Sequence, residues 1–284
     1  MEMKILKQIT SIALTTAIVL GFGSAIYAAP SGYNINETFP DQSLNKIMRQ
    51  YDSNSNGYLD SNEISNAGTK YDSYAANARI LNIEDSGVRS LDGLEIFPSN
   101  FVLSVKNCNI KMLDVSCCNF EYVMANNCPQ LLTVVCGTKQ KILDVQYCSN
   151  LKKTYFNLAC NLKSVTFNYC SALTGAIYLD TCSNLERFSS KYTNITEVYF
   201  HPKAQVKSFY TYDCPLDFLD IKGARVSTME NFIVMTNGRA ATSISCTGDL
   251  FHFLWNHRRP DGRGYAYNTD GSIKGEICLN IYWG

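Results

Sequence analysis

Through the middle of the chain, apolar residues recur at fixed offsets from a cysteine. Leu162, Val165 and Phe167 stand eight, five and three positions before Cys170, and Ile110, Leu113 and Val115 do the same before Cys118. Leu143 and Val145 repeat the second half ahead of Cys148. Ile195, Val198 and Phe200 lead toward Lys203, and Leu216, Leu219 and Ile221 toward Ala224. The alternation inside each unit has the period of a strand with one buried face. Cys108, Cys118, Cys128, Cys148, Cys160, Cys170, Cys182 and Cys214 lie 10 to 12 residues apart or at multiples of that, with Thr138, Thr193 and Lys203 in the gaps. Taken in pairs, the units form coils of 20 to 23 residues, one series at 108, 128, 148, 170, 193 and 214 and the other at 118, 138, 160, 182, 203 and 224. A repeat of this length predicts a mainly β solenoid of parallel strands over residues 77–225.

The pattern changes upstream. Leu44, Ile47, Met48 and Tyr51 follow Pro40-Asp41 at helical spacing, and Ile64 begins a second short helix. Between them, Asp52 to Glu63 places an oxygen donor at each position of a twelve-residue calcium loop of the EF-hand type. Asp52, Asn54 and Asn56 fill positions one, three and five; Tyr58 offers its backbone carbonyl at seven; Asp60 stands at nine and acts through water; Glu63 ligates with both oxygens at twelve. Gly57 sits at position six, where the backbone must turn sharply, and Leu59 at position eight points inward. The implied cofactor is Ca2+. With three carboxylates and no second loop, the expected dissociation constant is on the order of 10⁻⁴ to 10⁻³ M, which suits a structural site filled outside a cell. Residues 29–76 therefore read as an EF-hand-type N-terminal cap.

Outward strand positions alternate with the inward template. Tyr178 and Tyr199 are outward on the second series, one coil apart, with Tyr155 or Phe156 a coil earlier; Tyr210 and Tyr212 are outward on the first series. These four tyrosines, Tyr178, Tyr199, Tyr210 and Tyr212, are the candidate ligand contacts, for protein or sugar, although such rings also serve simply to shield neighbouring coils.

Composition narrows the setting. Lys4 and Lys7, an apolar run from about Ile9 to Phe22, and small residues through Ala28 and Ala29 have the order of a secretory signal peptide over residues 1–28, the run being too short to span a membrane. Secretion follows as the expected localisation. The 25 basic and 25 acidic residues balance, so no global field points to nucleic acid. The ladder cysteines read as small buried hydrophobes, and no C-x-x-C pair provides zinc or redox spacing. Cys117 with Cys136, and Cys246 with Cys278, are spaced so that either pair is open to disulfide formation. In residues 226–284 the repeat fades. The apolar stretch Met229 to Met235, the aromatic run Phe251, Phe253 and Trp255, and the turns at Asn237-Gly238, Asp261-Gly262 and Asp270-Gly271 predict a β-containing C-terminal cap. A hydrolytic site would have to draw on His252, His257, Arg258, Arg259 and Asp261, which match no nucleophile-and-base motif.

The L-x-x-L-x-L-x-x-N/C core of the coils resembles leucine-rich repeats. The order Phe39-Pro40-Asp41, helix, EF-hand loop, Leu81-Asn82-Ile83 and Leu91-Asp92-Gly93-Leu94-Glu95 resembles the leader of secreted bacterial leucine-rich-repeat proteins, broadly internalin-like, and Leu113-Asp114-Val115-Ser116 and Leu143-Asp144-Val145 are similar to their repeats. The resemblance covers roughly residues 38 to 225 and departs in using Cys for Asn and in the C-terminal segment. It implies a right-handed solenoid that binds protein or glycan along one face, with no catalytic centre, at or outside the bacterial surface. A purely structural envelope component is the alternative, with a secreted hydrolase behind it.

Overall fold

The computed structural model describes residues 31–71, 78–156, 161–224, 228–236, 243–246, 249, 250 and 252, together with strands Arg263–Tyr267 and Ile273–Leu279. The leader, Cys160, the turn between the last two strands and His257, Arg258, Arg259 and Asp261 lie outside these residues. From residue 31 onward the chain forms one compact unit.

Each coil contributes a strand to one long sheet. Arg79–Glu84, Phe101–Lys106, Tyr122–Asn126, Ile142–Gln146, Ser164–Asn168, Arg187–Lys191, Ser208–Tyr212 and Asn231–Met235 pair in parallel in chain order. Thr69–Lys70 adds an antiparallel strand at one edge. At the other edge, Ile273–Leu279 runs parallel to Asn231–Met235 and carries Arg263–Tyr267 antiparallel beside it, which completes an 11-stranded sheet. The second strand of each coil builds the other side, as two separate sheets: Met112–Asp114, Thr133–Val135 and Lys153–Tyr155 form one, and Thr174–Leu179, Asn194–Phe200, Phe218–Asp220 and Ser243–Ser245 the other. The molecule is thus a mainly β solenoid of parallel strands with a small helical region at its N-terminal end.

Register explains the core. Leu81, Leu103, Val123, Leu143, Val165, Phe188, Phe209 and Phe232 occupy one column of directly paired positions, and all are buried. Each such side chain contributes about 1.5–3 kcal/mol relative to exposure. The next inward column runs Ile83, Val105, Ala125, Val145, Phe167, Ser190, Thr211 and Val234. Where it shrinks to Ser190 and Thr211, the first column compensates with Phe188, Phe209 and Phe232, whose rings stack at 5.4 and 5.6 Å. Parallel pairing continues past residue 225: Phe232 and Val234 take the inward places, so this segment adds a coil where the cysteine period had faded.

The ladder cysteines do the work of a turn-closing side chain. Cys108 Sγ lies 3.3 Å from the Ile83 carbonyl of the preceding coil, and Cys128, Cys148, Cys170 and Cys214 make the equivalent contacts with Val105, Ala125, Val145 and Ser190 at 3.4 to 3.9 Å. Thr193 holds the ladder position where no cysteine occurs, and its hydroxyl meets Ser190 Oγ at 2.8 Å and Cys214 Sγ at 3.3 Å. Burial pushes the Cys108 thiol up to about 11 and the Cys118 and Cys170 thiols up to about 12, so little reactive thiolate forms near neutrality. The Cys117–Cys136 pairing that spacing left open is not formed. Both are free: Cys136 follows the inward-turning strand Thr133–Val135 and is 1% exposed, while Cys117 lies in an exposed turn. Cys246 is also free, and the side chain of Cys278 lies outside the described residues.

One turn of the second side depends on an amide instead. Gln140, fully buried, accepts from Gly137 N–H at 2.7 Å and donates to the carbonyls of Val115, Cys118 and Phe120. Gly137 is required there, because a Cβ would come within 2.4 Å of the Ser116 carbonyl oxygen.

Replacing Gln140 with Leu strands Gly137 N–H and the Cys118 and Phe120 carbonyls in the core, while the Val115 carbonyl keeps the Cys118 N–H. The expected loss is on the order of 3 kcal/mol in urea unfolding. Iodoacetamide at neutral pH is expected to modify Cys117 in the folded protein and to reach Cys108, Cys128, Cys136, Cys148 and Cys170 only after denaturation, as read by peptide mass spectrometry.

Candidate calcium loop and exposed tyrosine columns

The loop begins where the helix Gln42–Met48, capped by Asp41, passes through a 3₁₀ turn at Arg49–Tyr51. It ends in the helix Ser61–Asn66, whose start precedes the expected Ile64 because Asp60 caps it: Asp60 Oδ1 accepts from Asn62 and Glu63 N–H at 2.8 and 2.9 Å, and Glu63 Oε2 accepts from Asp60 N–H at 3.1 Å. Three side chains before that fold back onto the loop's own amides. Asp52 accepts from Asn56 and Gly57 N–H, Asn54 from Asn56 N–H, and Asn56 from Tyr58 N–H, all within 2.8 to 3.1 Å. Gly57 turns the chain at φ 81°, with Ser55 also left-handed at φ 57°. Leu59 is fully buried, and its strand Tyr58–Leu59 pairs antiparallel with Tyr33–Asn34, which gives the loop a β partner from the same chain.

The donor set fits a hard divalent cation. All six expected positions present oxygen, and the hydrogen bonds orient the side chains while a lone pair remains on most of them. Asp52 and Glu63 are 9% and 7% exposed, yet among the described residues no Lys or Arg pairs with either. Buried carboxylates without a counter-charge are costly unless a cation or strong donors compensate. At Glu63, burial raises the carboxyl pKa, but hydrogen bonds from the backbone of Asp60, the Ser53 hydroxyl and the backbone of Ser53 and Asn54 outweigh it and hold the group below its ordinary range. Among the described residues no three His, Cys, Asp or Glu side chains are gathered so as to hold a metal ion, and Asp52, Asp60 and Glu63 do not form such a group.

The loop is tied to the first coil at two points. Asp41 Oδ2 accepts from Arg89 and Ser90 N–H at 2.9 and 3.1 Å. Arg79, on the first long-sheet strand, donates to the carbonyls of Asn66, Ala67 and Gly68 at the end of the exiting helix. Ile35, Phe39, Leu44, Met48 and Leu59 complete the seam in the common core.

Of the four tyrosines expected on the surface, Tyr178 is exposed and Tyr199, Tyr210 and Tyr212 are half-buried. Tyr178 is 59% exposed and stacks on Tyr199 at 5.1 Å and 11°. Tyr199 donates to Glu197 at 2.6 Å, and that bond, with burial, raises its pKa to about 12. Tyr155 faces outward and Phe156 inward, but the strand carrying Tyr155 belongs to the other short sheet, so this column does not continue upward. On the long sheet, Tyr210 lies under the Lys191 ammonium at 4.5 Å, and Tyr212 packs edge-on against Tyr192 at 5.3 Å.

Tyr192 ends a column that outward strand alternation did not reveal. Tyr147, Tyr169 and Tyr192 lie just beyond three successive long-sheet strands and stack at 4.6 and 4.9 Å. All three have left-handed backbone, at φ 55°, 57° and 52°. The equivalent residues of other coils, Asn107, Asn127 and Asp213, adopt the same conformation, which their types accept readily. A left-handed tyrosine costs about 1–3 kcal/mol. Each aromatic contact returns about 0.5–1.5 kcal/mol, which at central values does not offset it. The signal was present in the sequence as a tyrosine immediately before the ladder residue in Tyr147-Cys148, Tyr169-Cys170 and Tyr192-Thr193.

The fold thus defines a parallel β-solenoid, compatible with a repeat protein, with a small helical region at its N-terminal end. No family model matches the chain, and no match was found among curated proteins. No helix among the described residues is long and apolar enough to cross a membrane.

Proposed function

We propose that the chain is a secreted, calcium-binding leucine-rich-repeat protein, broadly internalin-like, and acts as a non-catalytic binding or adhesion module at or outside the bacterial cell surface. The observation that carries the calcium reading is the pair of buried carboxylates, Asp52 and Glu63, within an all-oxygen loop and without a basic side chain among the described residues. The side chains of Asp52, Asn54, Asn56 and Glu63 and the Tyr58 carbonyl hold the ion, with Asp60 acting through water. Bound calcium supplies the positive charge that these buried oxygens lack. Its role is structural: Arg79 and Asp41 link the loop's flanking helices to the first coil, so ordering the loop holds the cover over the solenoid's first apolar edge. The exposed stack of Tyr178 on Tyr199, with Tyr210 and Tyr212 on the long sheet, supports a partner of protein or glycan on a host or bacterial surface.

Chelation is expected to lower the melting temperature. At a calcium concentration tenfold above the dissociation constant the linked stabilisation is about 1.4 kcal/mol, equivalent to roughly 2–4 °C for a chain of this size. Glu63→Ala is expected to lower melting as well and to remove the response to calcium. Unchanged melting in both would reject a stabilising calcium site. For the binding face, the mature chain is used to capture partners from host-matrix and bacterial-surface fractions, with calcium and with chelator. Capture is expected to fall at least tenfold in Tyr178→Ala/Tyr199→Ala with melting preserved, and undiminished capture would remove that pair from the contact surface.

A further inference from the structure

We infer that the corner column Tyr147, Tyr169 and Tyr192 is a binding strip for a neutral, linear oligosaccharide running along the solenoid axis; this rests on the binding-module reading but names a surface and a ligand class that it does not. The first ground is backbone conformation. Three adjacent coils place a bulky residue where the coils above and below use Asn or Asp, although the turn itself is made equally well by Asn107, Asn127 and Asp213. The fold therefore does not require tyrosine at this position, and strain held in a row on the surface is the kind that contact sites retain.

The second ground is what the column shows to solvent. Tyr147 is 49% exposed, and Tyr169 and Tyr192 are each 39% exposed. Because the rings lie face to face, the middle ring has both faces covered, so the strip presents chiefly ring edges and phenol hydroxyls, repeated once per coil, with the Tyr192 hydroxyl also hydrogen-bonded to Tyr212 of the next coil. Each hydroxyl both donates and accepts hydrogen bonds. At the ends of the strands that lead into these turns stand Gln146, Asn168 and Lys191; Gln146 already donates to Asp144 at 2.9 and 3.0 Å and Asn168 Oδ1 accepts from the Ser189 hydroxyl at 3.5 Å, so the polar atoms left for a ligand here are the remaining donors and acceptors of these amides. A surface of paired donors and acceptors suits a polyhydroxylated ligand, and its step matches a polymer whose monomer rise is close to the strand spacing of about 4.8 Å.

Charge selects the neutral member of that class. Lys191 already covers the Tyr210 ring, and the coil below contributes Asp213, so no run of like charge lies along this edge to hold a polyanion. A protein partner would call for an apolar centre, whereas this column is bordered by amides.

The test is isothermal titration of the mature chain with cellohexaose, xylohexaose and chitohexaose, with a heparin hexasaccharide as the anionic comparison. Saturable binding to at least one neutral hexasaccharide, stronger than to heparin, is expected. In Tyr147→Asn/Tyr169→Asn/Tyr192→Asn, affinity is expected to fall at least tenfold while the melting temperature holds or rises, since Asn suits the left-handed turn. The corresponding triple Phe variant, which keeps the rings and loses the hydroxyls, is expected to bind at least fivefold more weakly with native melting. The proposal is overturned if no neutral hexasaccharide binds, if heparin binds more tightly than all of them, if the Phe variant binds like the native chain, or if the Asn variant melts lower, which would make the column a structural stack. Capture through Tyr178 and Tyr199 that survives such a result would leave the broader binding reading standing.

Discussion

Six successive coils leave the long sheet through the same turn, at Asn107, Asn127, Tyr147, Tyr169, Tyr192 and Asp213, and that turn is the constraint on which the structure depends. It is made by a left-handed residue followed by a small buried side chain that reaches a carbonyl of the preceding coil, as in Asn107-Cys108 and Tyr169-Cys170. Because the turn recurs in register, the inward columns fall directly over one another and give an uninterrupted core. The outward positions are aligned by the same register, which is why rings 20 or more residues apart in sequence touch. Stacking of this kind makes stability a sum over neighbouring coils. A disturbance at one turn is felt mainly by the coils on either side.

Such an array needs a cover at its ends. At the N-terminal end the cover is short: the helix Gln42–Met48, the loop and the helix Ser61–Asn66. Too few residues are present for this segment to form a core of its own. It borrows one, with Leu44, Met48 and Leu59 entering the solenoid's apolar cluster. The pairing of Tyr58–Leu59 with Tyr33–Asn34 gives a single loop the strand contact that a second loop would otherwise supply.

Much of the solenoid was legible because its signal is repetitive. The period located the ladder, including Thr193, whose hydroxyl joins the cysteine network in the core. Strand alternation placed Tyr178 over Tyr199. What escaped was local. A tyrosine in left-handed conformation runs against residue preference, so Tyr147, Tyr169 and Tyr192 were not visible as surface residues of a strand pattern. The start of the exiting helix depended on the reciprocal bonds between Asp60 and Glu63, and Glu63 had already been given to the metal. Spacing brought Cys117 near Cys136 in coil count, but spacing alone does not say which side of the backbone each thiol takes. The additional coil at Asn231–Met235 lacks a cysteine landmark, and its unbroken apolar run from Phe232 to Met235 shows no alternation.

The thiol ladder also bears on how the chain reaches its folded state. No disulfide joins its described cysteines, and Cys108, Cys128, Cys148, Cys170 and Cys214 act as weak donors to carbonyls and as small packing groups. Among the described residues no cross-link has to be chosen from many pairings, so the stacking of these coils does not depend on an oxidant. Exposure to oxidant matters during assembly instead. Until a coil is covered by the next, its thiol is open to reaction, and speed of stacking protects what burial later secures.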